Sequence, residues 1–240
     1  MYLPLYFDAG SMQSWGYGSY KKNRNTRLYP TQSAVTGMIC RASGMYTSKI
    51  GKEKFVKFLD EIRKGKFCSI LFYKNNIMTD FQTIGTNYKN DQIYRANGTK
   101  YMTSNVSGNA HGTVIVQKQY LENAITGCII EHDEKILKYI LKSLKCPQSF
   151  LGIGRSCCIP TSPIVDSIEL TFKEAFLSLI DKINRQRENI KIKNDSIIKI
   201  ISPSVDGFPI NDVMIDHQQF VSRLIIEKDK TLTEWKKILN

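Results

Sequence analysis

The apolar positions in the first third of the chain switch between strand and helix spacing. Residues 2–8 form an apolar run typical of a buried strand, and helical spacing then begins after Pro30-Thr31 and ends at Gly44. Lys52–Lys64 shows helical spacing again and predicts a second helix. The apolar faces of the two helices consist of Val35, Met38, Ile39 and Ala42, and of Phe55, Phe58, Leu59 and Ile62.

Two polar stretches interrupt this pattern. Gly10–Tyr29 is Gly-rich and basic and predicts a long loop. Residues 84–112 are rich in Asn, Gly, Thr and Tyr and contain few large aliphatic side chains, so they add little to a core. They predict either a projecting β-hairpin or an irregular loop, from which the chain returns at residues 114–116.

The remaining apolar segments predict an α+β protein. The predicted strands are Phe67–Tyr73, Ile77–Thr83 after a turn at Lys74-Asn75-Asn76, Ala124–Ile130, Ile197–Ile201 and Val221–Ile226, and the predicted helices are 136–144, stopping before Pro147, and Thr171–Arg187. The early order of strand, helix, strand, strand, helix is compatible with a ferredoxin-like (RRM-like) sheet that carries insertions. We expect this domain over residues 1–165, with residues 84–112 inserted, and a small C-terminal α/β extension over residues 166–240 packed on the same body.

The charge balance favours a polyanionic partner. The 240 residues include 34 Lys and Arg against 22 Asp and Glu, a net charge of +12. A Lys-, Asn- and Ile-rich composition also arises from genomic base bias, so charge alone leaves nucleic-acid binding open. No apolar run approaches the roughly 18–20 residues that span a bilayer, and the N-terminus resembles a strand rather than a signal peptide. We therefore expect a cytoplasmic protein with no membrane contact.

Metal and catalytic patterns are sparse. The six cysteines form no Cys-x-x-Cys pair and are expected to be small buried side chains, and the three histidines lie in unrelated contexts. We therefore expect no metal, no cofactor and no catalytic residue. The alternative is a metal-independent ribonuclease that uses His111 with Tyr20 or Lys21.

Three short segments carry candidate nucleic-acid contacts. Gln13 and Ser14 can hydrogen-bond to bases or phosphates and Trp15 can stack, although a turn anchored by a buried Trp explains the same residues. The second segment combines Lys21, Arg24 and Arg27 with a helix start at Thr31 and Ser33, where free N–H groups attract a phosphate. Its alternative is a solvated basic loop with Thr31 as the helix cap.

The third segment is the turn Gly152-x-Gly154-Arg155-Ser156. Its glycines allow close backbone approach and Arg155 can bind a phosphate, but it is neither a Walker loop nor a full dinucleotide fingerprint. An ordinary tight turn is the alternative. In the 84–112 excursion, aromatic and cationic residues suit single-stranded nucleic acid, namely Tyr94, Arg95, Lys100 and Tyr101.

Five motifs occur in a fixed order along the chain. They are Gln13-Ser14-Trp15-Gly16, the Arg24–Arg27 loop with Pro30–Met38, Asp80-Phe81-Gln82-Thr83, Tyr120–Ala124 and Phe150–Pro160. This series resembles the CasD family, the subunits that bind the 5′ handle of the guide RNA (crRNA) in the type I-E CRISPR Cascade complex. The resemblance covers roughly residues 3–165.

The resemblance implies a ferredoxin-like RAMP domain with a β-hairpin thumb, for which residues 84–112 are the candidate. It also implies a subunit that caps the crRNA 5′ handle without cutting it and assembles with CasC along the guide, CasA at the foot, and target DNA. The implied RNA contacts are Gln13, Ser14, Trp15, Lys21, Arg24, Arg27, Thr31, Ser33, Arg155 and Ser156, with Tyr94 or Tyr101 wedged between guide nucleotides. Type I-C relatives cut RNA, which keeps the ribonuclease alternative open, as does a general RNA-binding role outside CRISPR.

Overall fold

The computed structural model describes residues 1–17, 23–73, 76–84, 93–94, 100–101, 114–186, 197–201 and 230–231. The strands within these ranges are β1 (Tyr2–Asp8), β2 (Met12–Gln13), β3 (Trp15–Tyr17), β4 (Asn23–Arg27), β5 (Lys66–Tyr73), β6 (Ile77–Ile84), β7 (Ile93–Tyr94), β8 (Lys100–Tyr101), β9 (Val114–Glu122), β10 (Ile125–Glu131), β11 (Ile197–Ile201) and β12 (Lys230–Thr231). The helices are α1 (Gln32–Ala42), α2 (Thr47–Ile50), α3 (Lys52–Arg63), α4 (Glu134–Lys145) and α5 (Phe172–Gln186).

The first sheet has the strand order β1-β10-β5-β11-β12, and its neighbouring strands are antiparallel. Residues 164–169 run along the outer edge of β1 through antiparallel bridges from Tyr2 to Glu169 and from Leu5 to Val165. The sequence predictions of β1, β5, β10 and β11 are confirmed, because these runs of apolar residues fill a sheet that is covered on both faces.

Alternation along the strands divides the core into two clusters. On β1, Leu3, Leu5 and Phe7 point into a cluster shared with α1 and α4, whereas Tyr6 points into a second cluster shared with α5. Side chains of a strand alternate between the two faces of the sheet, so a strand that is apolar throughout requires a cover on each face. Here helices α1 and α4 cover one face and α5 covers the other.

Helix α5 is held to the first sheet by a buried lysine. The Lys182 ammonium donates to the Pro163 carbonyl at 2.5 Å, pairs with Asp166 at 2.9 Å and lies 5.4 Å from the centre of the Tyr6 ring. Its side chain is only 6% exposed, so these partners compensate for burying a charge. Helix α5 packs on the first sheet and β11 forms part of it, although both follow residue 165. The predicted domain division at that residue stays a prediction.

The second sheet is built around β9. Strand β6 pairs along the whole of its own length with one edge of β9. Strands β2 and β4 pair with the other edge of β9, and β3 pairs with β4. One sequence prediction is therefore wrong. Gly10–Tyr29 is not simply a loop, because it contains β2, β3 and β4. The predicted strand at Ile77–Thr83 is confirmed as β6, and its partner in the second sheet is β9.

Helix α1 begins as the sequence predicts. Thr31 is the N-cap, and its hydroxyl accepts a hydrogen bond from the amide of Ala34 at 3.3 Å. Ser69 on β5 donates its hydroxyl to the Pro30 carbonyl at 2.6 Å, which fixes the helix start to the first sheet. Among the described helices, none is both long and apolar enough to cross a membrane.

Part of the predicted 84–112 excursion lies within the described ranges. β7 and β8 form an antiparallel ladder in which Tyr94 pairs with Lys100 and Ile93 with Tyr101. Arg95 and the rest of the excursion lie outside the described residues, as does the predicted strand Val221–Ile226. The thumb stays a prediction.

Candidate RNA-binding site

Gln13 is a buried structural residue. Its side-chain amide donates to the Ala124 carbonyl, and its carbonyl oxygen accepts from the Trp15 indole at 2.9 Å and from the Thr126 hydroxyl at 2.8 Å. With 1% of its surface exposed, it has no free face for RNA. Its amide instead connects β2 to β3 and β10.

Trp15 offers no stacking face, in contrast to the sequence prediction. It is fully buried and packs edge-on against Phe7, with ring centroids 4.9 Å apart. Its backbone amide donates to the Thr26 hydroxyl at 2.8 Å, which joins β3 to β4. The structural alternative, a turn anchored by a buried Trp, describes this residue correctly.

Ser14 is the point at which two distant motifs meet. Its hydroxyl donates to the Gln119 carbonyl at 3.1 Å, and its backbone amide donates to the Ile153 carbonyl at 3.4 Å. Gly154 has φ of +80°, and an added Cβ there would lie 1.4 Å from the Ser14 carbonyl oxygen. Only glycine allows this approach, so Gly154 is what lets the turn at 151–158 dock on Ser14, between β2 and β3.

Arg155 is held flat over the second sheet by this turn. One terminal nitrogen, Nη2, donates to the Arg24 carbonyl at 2.9 Å, and the guanidinium carbon lies 4.5 Å from the centre of the Tyr120 ring. The other terminal nitrogen, Nη1, is buried and has no hydrogen-bond partner among the described residues. Arg155 as a whole is half-buried, so the turn presents a fixed positive charge on the second sheet.

Two more cations lie on the same face of the sheet. Arg24 on β4 pairs with Lys118 on β9, so both side chains share a face, and Tyr120 lies two residues further along β9 on that face. The Lys118 ammonium donates to the side-chain carbonyl of Gln82, whose amide donates to Asp80 at 2.7 Å. We call Arg24, Lys118 and Arg155 the cationic cluster.

The acids on that face are few. Asp80 is opposite Lys118 on β6, and Glu122 lies at the far end of β9. Asp80 reaches Lys118 through Gln82 and orients the ammonium without contacting Arg24 or Arg155 in any described hydrogen bond. The cationic cluster therefore keeps an excess of positive charge where β4 and β9 meet.

Arg27 has a structural place. Its side chain is 8% exposed, it donates to the Tyr29 hydroxyl at 3.0 Å, and it lies over the rings of Tyr17 and Tyr29. The stacking holds β3 and β4 together. Arg27 therefore supports the hairpin that presents Arg24, and the sequence prediction that both arginines contact RNA alike does not match this geometry.

The other predicted contacts are spread more widely. Thr31 is buried at the start of α1, Ser33 is exposed beside it, and Ser156 is exposed next to Arg155. Lys21, Arg95, His111 and Tyr20 lie outside the described residues. The side chains of the ladder residues are likewise not described, namely Tyr94, Lys100 and Tyr101.

The Cys158 thiol close to the site is buried. Burial raises the pKa of Cys158 to about 12, so this thiol stays protonated at neutral pH. Burial also raises the pKa of the Tyr120 hydroxyl, which keeps the ring neutral beneath Arg155. No group of three or more His, Cys, Asp and Glu side chains that could hold a metal ion occurs in the described part of the chain.

A cleft of about 460 Å³ opens beside the β2–β9 junction. Its lining residues include an acid and no cation, namely Gly10, Ser11, Met12, Met78, Glu122 and Asn123. A carboxylate repels phosphate, so this cleft does not extend the cationic cluster.

Sequence reasoning missed two members of the site. Lys118 lies in β9, a strand that was not predicted, since residues 114–116 were described only as the return of the chain. Tyr120 appeared only as part of a motif. The sequence VIVQKQYLE from Val114 to Glu122 does not alternate between apolar and polar residues, so local periodicity gave no signal for this strand. Its pairing with β6 places Lys118 and Tyr120 on one face.

These features define an α+β protein with a cluster of cationic side chains on its second sheet. The family profile described as "CRISPR-associated protein (Cas_Cas5)" matches residues 9–218, and the chain therefore belongs to this family. A comparison with curated proteins gives no match.

Two solved structures are similar in fold. A chain of a "CRISPR RNA-guided surveillance complex" is 21% identical with a TM-score of 0.59, and the match covers 84% of this chain and 77% of that chain. A "Crystal structure of Cas protein" is 17% identical with a TM-score of 0.52, covering 87% and 82%. The expectation of a CRISPR-associated protein with an α+β fold is confirmed.

Proposed function

We propose that this chain binds the 5′ handle of a crRNA within a type I-E CRISPR surveillance complex (Cascade) and holds it without cutting it. Membership of the CRISPR-associated family and a fold similar to a surveillance-complex chain support a subunit of such a complex. The motifs that resemble CasD support the finer assignment to type I-E.

The guanidinium of Arg155 is the observation that carries the proposal. It is oriented by the Tyr120 ring and the Arg24 carbonyl, and its buried Nη1 has no partner among the described residues. A half-buried guanidinium held in one orientation can form charge-assisted hydrogen bonds with phosphate oxygens at low entropic cost. Such a contact fixes the position of an RNA backbone without reading its sequence.

Arg24 and Lys118 extend the site along the sheet. Both are half-buried and lie in one cross-strand row beside Arg155. Consecutive phosphates of a single strand would meet these cations in turn, so the affinity would depend strongly on salt. Ser156, which is exposed next to Arg155, is the remaining predicted contact at this position.

At the level of fold, we assign the first sheet to the ferredoxin-like RAMP type. Strands β1, β10 and β5 are antiparallel neighbours, and residues 164–169 bridge to the other edge of β1 in the place of a fourth strand. The thumb would project from the β6–β9 ribbon, because residues 85–113 connect these two strands.

The partners follow from this assignment. The crRNA 5′ handle would contact the cationic cluster, CasC and CasA would be the neighbouring subunits, and target DNA would bind the assembled complex. The protein would act in the cytoplasm.

Replacing Arg24 and Lys118 together by glutamine is expected to weaken binding of the repeat-derived 5′ segment of the crRNA. Loss of two phosphate contacts should lower affinity by about 10-fold to 100-fold at physiological salt and should reduce the salt slope by about 0.7 per contact. Fluorescence anisotropy of a labelled RNA over a salt series measures both quantities.

A control variant distinguishes the cluster from overall charge. Lys138→Gln plus Lys142→Gln also removes two cations, but from the exposed face of α4. It should leave the salt slope close to that of the unmodified chain. Equal losses in the two double variants would show that net charge, rather than the cationic cluster, determines binding.

The non-catalytic assignment has its own test. Purified chain incubated with full-length repeat RNA in EDTA is expected to leave the RNA intact, as judged on a denaturing gel. Cleavage that disappears in His111→Ala would favour a metal-independent ribonuclease. Cleavage that persists in His111→Ala would be traced to a contaminating nuclease by repeating the assay across the final chromatography fractions.

A further inference from the structure

One edge of strand β6 is unpaired in the part of the chain that the structure describes. Strand β6 pairs with β9 over its eight residues without a bulge, and its other edge pairs with no described strand. Residues that keep an edge strand from pairing with another strand are scarce in β6, which contains no proline and only one charged residue, Asp80. A long regular edge of this kind has free N–H and C=O groups that favour pairing with another strand.

The outward face beside this edge is uncharged and partly apolar. Register and alternation place six exposed side chains on it, namely Ile77, Thr79, Phe81, Ile115, Gln117 and Asn23. Phe81 is 65% exposed and Ile115 is 53% exposed. They are diagonal neighbours across the β6–β9 pair, close enough to form one apolar contact surface. We call these six residues the β6 face.

Apart from the buried Arg27, which alternation places on the same side of β4 as Asn23, the described charges of this sheet lie on the opposite face. Arg24, Lys118 and Asp80 alternate with the residues of the β6 face along the same three strands. In a chain with a net charge of +12, a face on which the described residues expose no charge is unsuited to attract a polyanion. Depletion of charge around exposed aromatic and aliphatic side chains is instead typical of the core of a protein interface.

We propose that the β6 edge and the β6 face form a docking surface for an extended segment of a partner protein subunit, and this rests on the proposed function as a subunit of a CRISPR complex. The segment would add a strand alongside β6. Its apolar side chains, at alternate positions, would pack on Phe81 and Ile115. The uncharged surface requires a segment that is itself uncharged on the packed side.

Backbone pairing and side-chain packing have separate roles in this arrangement. The open N–H and C=O groups of β6 provide hydrogen bonds that any extended segment can use, whereas Phe81 and Ile115 select apolar side chains at every second position. Gln117 and Asn23 provide the polar rim next to the apolar centre.

Phe81→Arg tests the surface in the assembled complex. The chain is co-expressed with the crRNA and with the protein subunits encoded at its own CRISPR locus, and the complex is purified through a tag on another subunit. We expect the recovery of this variant in the complex to be at least about tenfold lower than that of the unmodified chain, because a buried cation opposes the apolar contact. The matched control is Leu170→Arg, which changes a 70% exposed residue on another surface and should assemble normally.

RNA binding by the isolated chain separates this proposal from the proposed function. Phe81→Arg should bind the crRNA 5′ segment as the unmodified chain does, whereas Arg24→Gln plus Lys118→Gln should not. Normal assembly of Phe81→Arg would overturn the docking surface and leave the RNA site standing. Reduced RNA affinity of isolated Phe81→Arg would instead make this face an RNA contact and would also overturn the docking surface.

A photo-crosslink identifies the occupant directly. p-Benzoylphenylalanine introduced in place of Phe81 is expected to crosslink, in the intact complex, to an extended segment of a different subunit that mass spectrometry can identify. An adduct with RNA, with a second copy of this chain or with this chain's own residues would overturn the proposal.

Discussion

Replacing Gly154 by alanine is expected to destabilise the protein and to remove its RNA binding. The new Cβ would lie 1.4 Å from the Ser14 carbonyl oxygen, at a backbone φ of +80° that L-residues rarely adopt. The turn at 151–158 must therefore move away from β2–β3, taking Arg155 off Tyr120 and off the Arg24 carbonyl. We expect a loss of about 3 kcal/mol or more in the free energy of unfolding, measured by urea denaturation.

Two reference variants complete this prediction. Arg155→Ala removes the guanidinium without the steric overlap, so Gly154→Ala should lower crRNA affinity at least as far as Arg155→Ala does. Gly37→Ala tests glycine replacement as such, because Gly37 lies in α1 with open space around its Cβ position. It should be neutral or stabilising by up to about 1 kcal/mol. Native affinity and stability in Gly154→Ala would contradict the docking of the turn on Ser14.

Local periodicity explains which parts of the fold are predictable. Strand β1, helix α1 and helix α4 follow directly from apolar spacing, because each buries one continuous face or run. Strands β2, β3 and β4 were missed because they are short, polar and stabilised by partners far away in sequence. The Thr26 hydroxyl, for example, accepts a hydrogen bond from the Trp15 amide, and the Thr26 amide donates one to the side-chain carbonyl of Gln119.

The sequence motifs located the candidate site, but they did not give the role of each residue in it. The motifs at 13–16, 24–27 and 152–156 do meet in space, since Ser14 contacts Ile153 and Gly154 while Arg155 contacts Arg24. Residue type alone does not distinguish an arginine that supports a hairpin from one that presents its charge. Arg27 and Arg24 differ only in which face of β4 each occupies, and that depends on the pairing of β4 with β9.

Replacing Gln13 by methionine is expected to damage stability rather than recognition. Methionine has a similar length but cannot accept from the Trp15 indole or the Thr126 hydroxyl, nor donate to the Ala124 carbonyl. Each buried polar group left without a partner costs about 1–3 kcal/mol, so the total loss should reach about 3 kcal/mol or more. Thermal and urea unfolding measure it.

The matched control is the same substitution at Gln117. That amide lies exposed on β9, so Gln117→Met should change the free energy of unfolding by no more than about 0.5 kcal/mol. Both variants are then compared for crRNA affinity at a temperature at which circular dichroism shows them fully folded.

The affinity measurement decides between the two roles of Gln13. If its amide contacts the crRNA, Gln13→Met should lose affinity while remaining folded, as Arg155→Ala does. If it holds β2, β3 and β10 together, the folded fraction of Gln13→Met should bind RNA nearly as tightly as the unmodified chain. We expect the second result, because all three hydrogen bonds of a side chain that is 1% exposed already lie within the protein. Gln13 would then be a motif residue that stabilises the site rather than one that contacts the RNA.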